Sequence, residues 1–542
     1  MPSAKNKEKG AFHKASGRHV LVIEADMSEN NKRRIFNISN RLRLAGNELT
    51  ALMRNNLIQL LRTKKYGKLR KLYGKAVENN NKDRKSKLSS QMKTMQEEYN
   101  VSWDFCRKAM IPIGKKYDLS SVFALTRAED IWKGVEKVLY EDGKMIHFQK
   151  RGEFPILRAK QIEKSIIVKN IDDQLVLSCD GITFSPIIKD RFERDEVDAV
   201  LHYLENPSVV DEEAVQMFCD TGYVTDTYRP CYAALKCEEV RGKLRVFIHL
   251  TIEGKAKPKF NKDGSPRHKY GTGVVGCDIG TQTIAYTSDT ECGLKNLAER
   301  GNAISKSERK ERILLRKIDR SRREMNPQNF NEDGTIRKGF KKWTFSKNYI
   351  TNRRLLSELQ RKNSINRHLA IREDVNHIRS LGDIFITESK NAKKLMAKAK
   401  ETTVNEKTGK INRKKRFGKS IKNRCPGYFQ SYVENVFLLT GGKYFEVPYD
   451  YRASQYDHTN GEYVQKKLSD RMFSLSDGTI VQRDLYSSFL LYNATSDNNT
   501  GQLKIDGMRC INTFDEIIKL HDAEIERIRL SEKKVLNSGI RI

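Results

Sequence analysis

Residues 273–286 read GVVGCDIGTQTIAY, and this stretch decides the architecture of the second half of the chain. The apolar run 274–277 ends on a carboxylate, Asp278, and Ile279-Gly280 separate it from a second short apolar run. The pattern predicts a strand, a turn and a second strand, with an acid at the inner end of the first strand. An unpaired carboxylate in an apolar setting is costly, so a divalent cation shared with other carboxylates is the expected compensation. Taken alone, the same residues also fit an ordinary hairpin.

Two more acids occupy comparable positions downstream. Glu388 ends the strand-like run DIFITE at 383–388 and is followed by a basic, polar stretch that is predicted to be a loop. Asp484 precedes LYSSFLLY, whose apolar spacing predicts a helix with Asp484 in its first turn. Each of these two acids also fits an ordinary structural role: Glu388 as a solvent-facing residue at a strand end, and Asp484 as an acid at a helix N-terminus. Three acids in the order strand, strand, helix form a much rarer constellation.

The order and local contexts of these acids resemble the split RuvC-like nuclease domain, a ribonuclease H-like fold, of TnpB proteins and the related type V CRISPR effectors. The resemblance covers about half of the chain, from Val274 to about residue 493. It implies that Asp278, Glu388 and Asp484 are the catalytic, metal-binding acids of the first, second and final motifs. Tyr486 departs from the asparagine that is usual in the final motif, which leaves the metal assignment intact but changes its surroundings.

The same resemblance implies the chemistry and the partners. Three carboxylates would hold two Mg²⁺ or Mn²⁺ ions for phosphodiester hydrolysis, so the protein would be a Mg-dependent DNA endonuclease. A guide RNA encoded near the protein's own locus would pair with double-stranded target DNA beside a short duplex motif. Such a protein is expected in the cytoplasm of a prokaryote.

Composition points to the same class of partner. The 542 residues carry 102 Lys and Arg against 69 Asp and Glu, a formal net charge of +33. This field attracts polyanions, and the basic residues are spread through the whole length. No apolar run approaches the ~18 residues of a membrane span, and the N-terminus has no signal-peptide core. The sequence therefore predicts a cytosolic nucleic-acid-binding protein without a membrane partner.

The cysteines argue against a zinc module. Nine cysteines are scattered without a C-x-x-C pair, whereas relatives of TnpB commonly carry a four-cysteine zinc site between the second and third acidic motifs. The corresponding stretch has no cysteine, and Asp457 with His458 does not make a closed tetrahedral site. We therefore predict a subdomain without structural zinc.

The remainder of the chain separates by periodicity into helical and strand-rich parts. A helical period runs from Ile35 to about Val138, and short alternating runs recur between Lys144 and Lys257. If the strand near Val20 joins the later strands, the helices are an insertion in an antiparallel barrel; two unrelated domains in series are the alternative. In the family such parts are the wedge domain and the recognition lobe.

The predicted fold class is thus α/β plus α and β lobes: a ribonuclease H-like (RuvC) domain and an N-terminal antiparallel, wedge-like β-barrel carrying an inserted helical recognition lobe. The predicted parts are a disordered basic N-terminus (1–17), the barrel (18–30 and 140–270), the helical lobe (31–139), the split nuclease domain (271–300, 301–447 and 478–542) and a target-nucleic-acid-binding subdomain without zinc cysteines (448–477).

A basic helix follows the first acidic motif. Residues 306–324 carry nine basic and four acidic side chains, and this excess favours phosphate contacts, although a solvated charged helix has a similar composition. The predicted nucleic-acid-binding residues are Arg309, Lys310, Arg316, Lys317, Arg320, Arg322 and Arg323.

Three other functions compete with the guided nuclease. The first is a nuclease-inactive, RNA-guided DNA-binding repressor, against which the presence of all three acids argues. The second is a transposon-encoded nuclease or transposase that acts without a guide. The third is an actin-like ATPase, since Asp278-Ile279-Gly280 also resembles a phosphate loop, but the chain has no second loop of that kind.

Overall fold

The chain divides into two compact units, Met1–Lys257 and Pro258–Ile542. The computed structural model describes residues 18–79, 81–141, 143–221, 228–254, 261, 263–300, 303–339, 341–389, 396, 404, 418–448, 451–465, 470–496, 502–531 and 534–541. The predicted disordered N-terminus (1–17) lies outside the described residues, as does the basic stretch 390–417 apart from Met396 and Val404.

The first unit contains a curled antiparallel sheet of seven strands in the order β2-β6-β7-β1-β5-β4-β3. The strands are β1 (Arg18–Asp26), β2 (Leu157–Arg158), β3 (Ile166–Ile171), β4 (Gln174–Cys179), β5 (Ile182–Ile187), β6 (Arg229–Val240) and β7 (Lys243–Glu253). β1 pairs with β7 from Arg18↔Glu253 to Glu24↔Phe247, and its end pairs with β5. The first strand of the unit is therefore interior to a sheet whose other strands lie more than 130 residues later.

Helices fill the sequence between β1 and β2. They are α1 (Glu29–Arg62), α2 (Lys64–Glu78), α3 (Lys82–Glu98), α4 (Trp103–Lys116) and α5 (Ser121–Tyr140). Ser28 caps α1 by accepting a hydrogen bond from the Asn31 N–H, and apolar residues at helical spacing such as Leu49, Met53 and Leu57 form the helical core.

Two more helices, α6 (Arg191–Glu205) and α7 (Pro207–Thr221), lie where the sequence pattern predicted only strands. α6 is amphipathic, with Val197, Val200 and Leu201 buried against the sheet core, but its many charges hide this period in the sequence.

The second unit is built on a five-stranded sheet in the order β10-β9-β8-β11-β12. Its strands are β8 (Val274–Ile279), β9 (Thr283–Thr287), β10 (Cys292–Asn296), β11 (Ile384–Glu388) and β12 (Lys443–Val447). β10, β9 and β8 pair antiparallel, whereas β8, β11 and β12 pair parallel. The predicted strand, turn and strand at 273–286 are β8 and β9, at the centre of this sheet.

Helices cover both faces of the five-stranded sheet. They are α8 (Ala303–Glu324), α9 (Lys347–Leu381), α10 (Gly418–Arg424), α11 (Pro426–Leu439), α12 (Arg483–Tyr492) and α13 (Gly507–Leu530). Val275 and Phe385 pack with residues of α9 and α11 on one face, and Ala285 and Ile386 pack with residues of α12 and α13 on the other. Each strand therefore alternates its side chains between two apolar layers.

Three two-stranded sheets complete the second unit, formed by β13 (Tyr456–Asp457) with β14 (Glu462–Tyr463), β15 (Met472–Ser474) with β16 (Ile480–Gln482), and β17 (Ala494–Ser496) with β18 (Leu503–Ile505). Across the described parts of both units, no helix combines the length and apolarity that spanning a membrane requires.

Candidate active site

Asp278 and Glu388 lie at the same end of two neighbouring parallel strands. The register of β8 and β11 runs from Val274↔Ile384 to Cys277↔Thr387, and one further residue sets Asp278 beside Glu388. Residues at the same register position project to the same face of a sheet, and both side chains are half-buried. Two of the three predicted acids are therefore neighbours at one sheet edge.

The third acid reaches this edge on helix α12. Gly276 is two residues before Asp278 on the same face, and a Cβ atom at Gly276 would overlap the backbone of Ser488 and Tyr492. Only glycine allows a helix to approach a strand this closely. Since the last turns of α12 rest on Gly276, the first turn, which contains Asp484, extends towards the end of β8 that carries Asp278.

The start of α12 is held by a buried histidine on α13. The Gln482 side chain accepts a hydrogen bond from the Leu485 N–H at 2.8 Å, and the Gln482 N–H donates to His521 Nε2 at 2.9 Å. Nε2 accepts, so the ring proton is on Nδ1, which lies 2.8 Å from Asp522. Burial lowers the pKa of His521 despite Asp522, which keeps this acceptor neutral at pH 7. His521 thus holds the turn of α12 that contains Asp484.

Asp484 is paired with two arginines, and the sequence pattern singled out neither of them. Arg483 Nη2 lies 2.9 Å from Asp484 Oδ1, and Arg471 Nη1 lies 3.5 Å from Oδ2. Burial and the neighbouring Arg483 lower the pKa of Arg471, whereas Asp484 and Asp278 oppose that effect. Arg471 therefore forms an ion pair with Asp484 and also lies within electrostatic range of Asp278. The adjacency of Arg483 was visible in the sequence, but Arg471 comes from a separate segment.

Tyr451 is hydrogen-bonded to helix α12 and lies near Glu388. Its hydroxyl donates to the Leu490 carbonyl of α12 at 2.6 Å, and its ring is buried. Burial is the main cause that raises the pKa of Tyr451, and the charge of Glu388 adds to it. Glu388 thus lies near the protonated tyrosine that fastens α12.

Three carboxylates are the hard oxygen donors that Mg²⁺ prefers, so the chemistry of the donor set fits the predicted metal. Within the described ranges, however, no three His, Cys, Asp or Glu side chains are grouped as metal ligands, and this includes the three acids. Asp278 and Glu388 thus lie side by side at the ends of their strands, whereas Asp484 is paired with Arg471 and Arg483.

In the subdomain predicted to have no zinc cysteines, Asp457 joins two turns through hydrogen bonds. One carboxylate oxygen accepts hydrogen bonds from the N–H and hydroxyl of Thr459 at 3.0 and 2.7 Å, and the other from those of Ser476 at 3.0 and 2.9 Å. Burial alone would raise the pKa of Asp457, but these four bonds lower it. One carboxylate therefore joins the turn after β13 to the turn before β16.

Tyr486, which stands where the final motif usually has asparagine, contacts His458 of the same subdomain. The Tyr486 hydroxyl accepts from the His458 N–H at 3.1 Å and lies 2.9 Å from His458 Nδ1. Burial lowers the pKa of His458, which favours the neutral ring beside this hydroxyl. Tyr486 thus links α12 to the subdomain.

The predicted nucleic-acid-binding residues of α8 fall into two groups. Arg322 donates to Asp319 and lies over the rings of Phe330 and Trp343, and Arg323 donates to Asp319 and to the Gly334 carbonyl. Arg323 is exposed but held by these contacts, whereas the other predicted residues are exposed and are not held in this way by any described residue: Arg309, Lys310, Arg316, Lys317 and Arg320. This second group is the one that the structure leaves accessible to a nucleic acid.

Comparisons with known proteins give distant structural neighbours. The Cas12f1-sgRNA-target DNA complex matches with a TM-score of 0.42 and 12% identity over 85% of this chain and 83% of that chain. The Cas12i1 R-loop complex after target DNA cleavage matches with a TM-score of 0.26 and 9% identity over 81% of this chain and 58% of that chain. No protein-family model and no curated protein matches the sequence. Because these TM-scores are low, the function proposed below rests on the chain's own side chains.

Proposed function

We propose that the protein is an RNA-guided DNA endonuclease whose second unit is a ribonuclease H-like (RuvC) nuclease domain. The observation that carries the proposal is the placement of Asp278 and Glu388 side by side on parallel strands, below a helix that carries Asp484. Carboxylates from three separated segments at one sheet edge are the residue types that metal-assisted phosphodiester hydrolysis needs. The proposal does not require a nucleophilic serine, cysteine or histidine.

The protein's own residues supply positioning and charge. Asp278, Glu388 and Asp484 would hold Mg²⁺ or Mn²⁺, which when bound supplies an activated water and charge stabilisation. Arg471 and Arg483 place two fixed cations beside Asp484, where they can face a phosphodiester oxygen. His521 and Tyr451 hold α12 at its two ends, so the Asp484 backbone is fixed before substrate arrives.

The guide RNA and the target DNA are the partners that the resemblance to TnpB and type V effectors implies, and the charge of the chain supports a polyanionic partner. A net charge of +33 provides the backbone attraction that guided recognition requires, while sequence specificity would come from base pairing. We assign the first unit to the wedge-like barrel and helical recognition lobe, and the exposed basic residues of α8 to backbone contacts.

The test begins with expression of the chain together with its native flanking DNA. Sequencing of RNA that copurifies with the protein should give a discrete species with a constant scaffold and a variable end. A DNA duplex matched to that variable end should be cut in the presence of Mg²⁺ and left intact in EDTA.

Asp278→Ala should abolish this cleavage while nucleic-acid binding stays nearly unchanged, whereas Asp515→Ala on the exposed face of α13 should leave both unchanged. Full cleavage by the Asp278→Ala variant would refute the proposal. Random RNA fragments, or none, would remove the guide and leave a RuvC-like nuclease without one.

A nuclease-inactive, RNA-guided DNA-binding repressor is the second candidate. It is favoured by the two arginines on Asp484 and by the lack, among the described residues, of a three-ligand metal group. The two candidates differ in one readout: the repressor would retain guide and target without cutting at any concentration of Mg²⁺ or Mn²⁺.

A further inference from the structure

A cavity of about 450 Å³ in the first unit contains a buried arginine that has no carboxylate in hydrogen-bond contact among the residues that the structure describes. We call it the Arg127 cavity; its polar lining comes from Arg127, Asp130, Gln149, Arg158, His249 and Thr251. It lies where helix α5 meets strands β1, β6 and β7, so all of its lining belongs to one compact unit.

Arg127 is only 9% exposed, and its Nε has no hydrogen-bond partner among the described residues. One terminal nitrogen donates to Gln149 Oε1 at 2.9 Å, a neutral acceptor. Burial lowers the pKa of Arg127, opposed by Asp130, but a guanidinium group stays protonated in proteins. A buried cation is costly unless an anion compensates it, and Asp130 acts on Arg127 without a hydrogen bond between them, so the compensation is incomplete.

The surrounding residues hold this arginine in place. A Cβ atom on Gly46 of α1 would lie 2.9 Å from Arg127 Nη2 and would overlap Nε, so the guanidinium group rests on a glycine. The Gln149 backbone is held by the Asn47 side chain through two hydrogen bonds of 2.8 and 2.9 Å. Arg127 therefore occupies a fixed position rather than a flexible surface one.

The charge of the cavity fits a singly charged anion. Arg158 lies 3.2 Å from Asp130 and 3.6 Å from Glu129, and Lys160 also pairs with Glu129. With Arg127 this makes three cations against two carboxylates, so one positive charge is in excess. Burial is the main cause that lowers the pKa of His249; the charge of Lys236 adds to it, and Glu238 opposes it. At pH 7 the imidazole ring is therefore neutral and offers one hydrogen-bond donor and one acceptor. A phosphodiester carries one negative charge, and arginine binds it through a planar fork of N–H groups.

Apolar surface beside the cation fits the groups that flank a phosphodiester. Phe154, Ile156 and Val20 line the same cavity, and Ile156 and Val20 are exposed large apolar residues. A sugar or a base next to the phosphate would cover them, whereas a free phosphate ion would not.

We propose that the Arg127 cavity binds one phosphodiester group of a nucleic-acid strand, with Arg127 as the anchoring cation. The choice of nucleic acid as the source of the phosphate rests on the proposed function. The site itself is distinct from the acids of the second unit, because none of its residues belongs to that unit.

The test uses the full chain and a fluorescein-labelled 20-nucleotide strand prepared as RNA and as DNA, with affinity measured by anisotropy over a range of salt concentrations in EDTA. Arg127→Met should lower the affinity for at least one strand roughly tenfold and reduce the slope of log affinity against log salt by about one. The matched control is Arg191→Met, which removes an 88% exposed arginine of the same unit and should change affinity less than twofold.

Thermal melting separates this role from a structural one. Because Arg127→Met removes a buried cation that the protein compensates incompletely, its Tm should equal or exceed that of the wild type, whereas loss of a structural arginine would lower it. If Arg127→Met does not fold, Gly46→Ala provides the second variant, because it displaces the guanidinium group without changing any charge; its affinity should fall as well.

Wild-type affinity and slope for both strands in the folded variants would overturn the inference. So would a Tm increase with inorganic phosphate that depends on Arg127 while both strands bind normally, since the site would then take a free anion. Binding in EDTA does not require cleavage. An Arg127 effect in a protein that never cuts DNA would therefore refute the proposed nuclease and leave this site standing.

Discussion

Gly276 on the central strand and Tyr492 on helix α12 are in such close contact that a Cβ atom on the glycine would lie 2.7 Å from the Tyr492 Cα. This contact joins the strand that ends in Asp278 to the helix that begins with Asp484. The two acids are 206 positions apart in sequence, and their convergence depends on this one small residue.

Gly276→Ala should therefore destabilise the second unit and abolish cleavage. The added methyl group meets backbone atoms of α12, which cannot rotate away, so we expect a loss of about 3 kcal/mol in the free energy of unfolding. Urea denaturation measures this loss. Gly418→Ala is the control, because its added methyl group has no atom of a described residue within 4 Å. Equal stability of the two variants would contradict the close contact between Gly276 and α12.

Arg471 should act in the cleavage step. Arg471→Ala removes the cation that lies by Asp278 and Asp484, and we expect the cleavage rate at saturating Mg²⁺ to fall by roughly 10²-fold, with nearly unchanged nucleic-acid binding. Arg471→Lys keeps a charge without the planar fork and should be intermediate. A faster rate in Arg471→Ala would instead identify this arginine as an inhibitory partner of Asp484.

The stability of the protein should depend on the pH through Asp374 of α9. Burial raises the pKa of Asp374 from 3.8 to about 6, against the opposing charges of Lys295 and His377. The folded state then binds more protons than the unfolded state between pH 4 and 6, so this group contributes most favourably below about pH 4 and stability falls as the pH rises through 6.

Asp374→Asn should consequently stabilise the protein at pH 7 to 8, by at most roughly 3 kcal/mol, with no gain below about pH 4. Melting curves over a pH series give this difference directly. Asp515→Asn, which changes an exposed residue of the same unit, should show no such pH dependence. A constant difference at all pH values would assign the effect of Asp374→Asn to packing.

Two sets of basic residues on helix α8 should have different effects, one on nucleic-acid affinity and the other on the stability of the protein. Arg316→Ala with Lys317→Ala removes two exposed cations, so nucleic-acid affinity should fall and its salt slope should decrease by about two. Arg322→Ala removes an arginine that lies 5.7 Å from the Phe330 ring and 5.6 Å from the Trp343 ring, so it should cost about 1 to 2 kcal/mol of stability. Anisotropy and urea denaturation measure the two effects. If Arg322→Ala also lowered affinity with an unchanged unfolding midpoint, its side chain would belong to the binding face.

The strands that carry the acids could be predicted because their signal is local. Residues 274–277 and 384–387 are apolar runs of strand length, and each is followed directly by its acid. Asp484 could be placed in the first turn of a helix for the same reason. Helix α6 was missed because charged residues dominate its window.

By itself, the sequence determined the apolar periodicities of these strands and helices, the identity of the three acids and a net charge of +33, since these properties reside in single residues or in neighbours along the chain. Only the tertiary structure decided that Arg471 lies by Asp484, that His521 holds the start of α12, and that Arg127 is buried against Gly46. The physical reason is that these contacts join side chains from segments up to about 80 residues apart. Their partners are selected by backbone packing and burial, which no local pattern records.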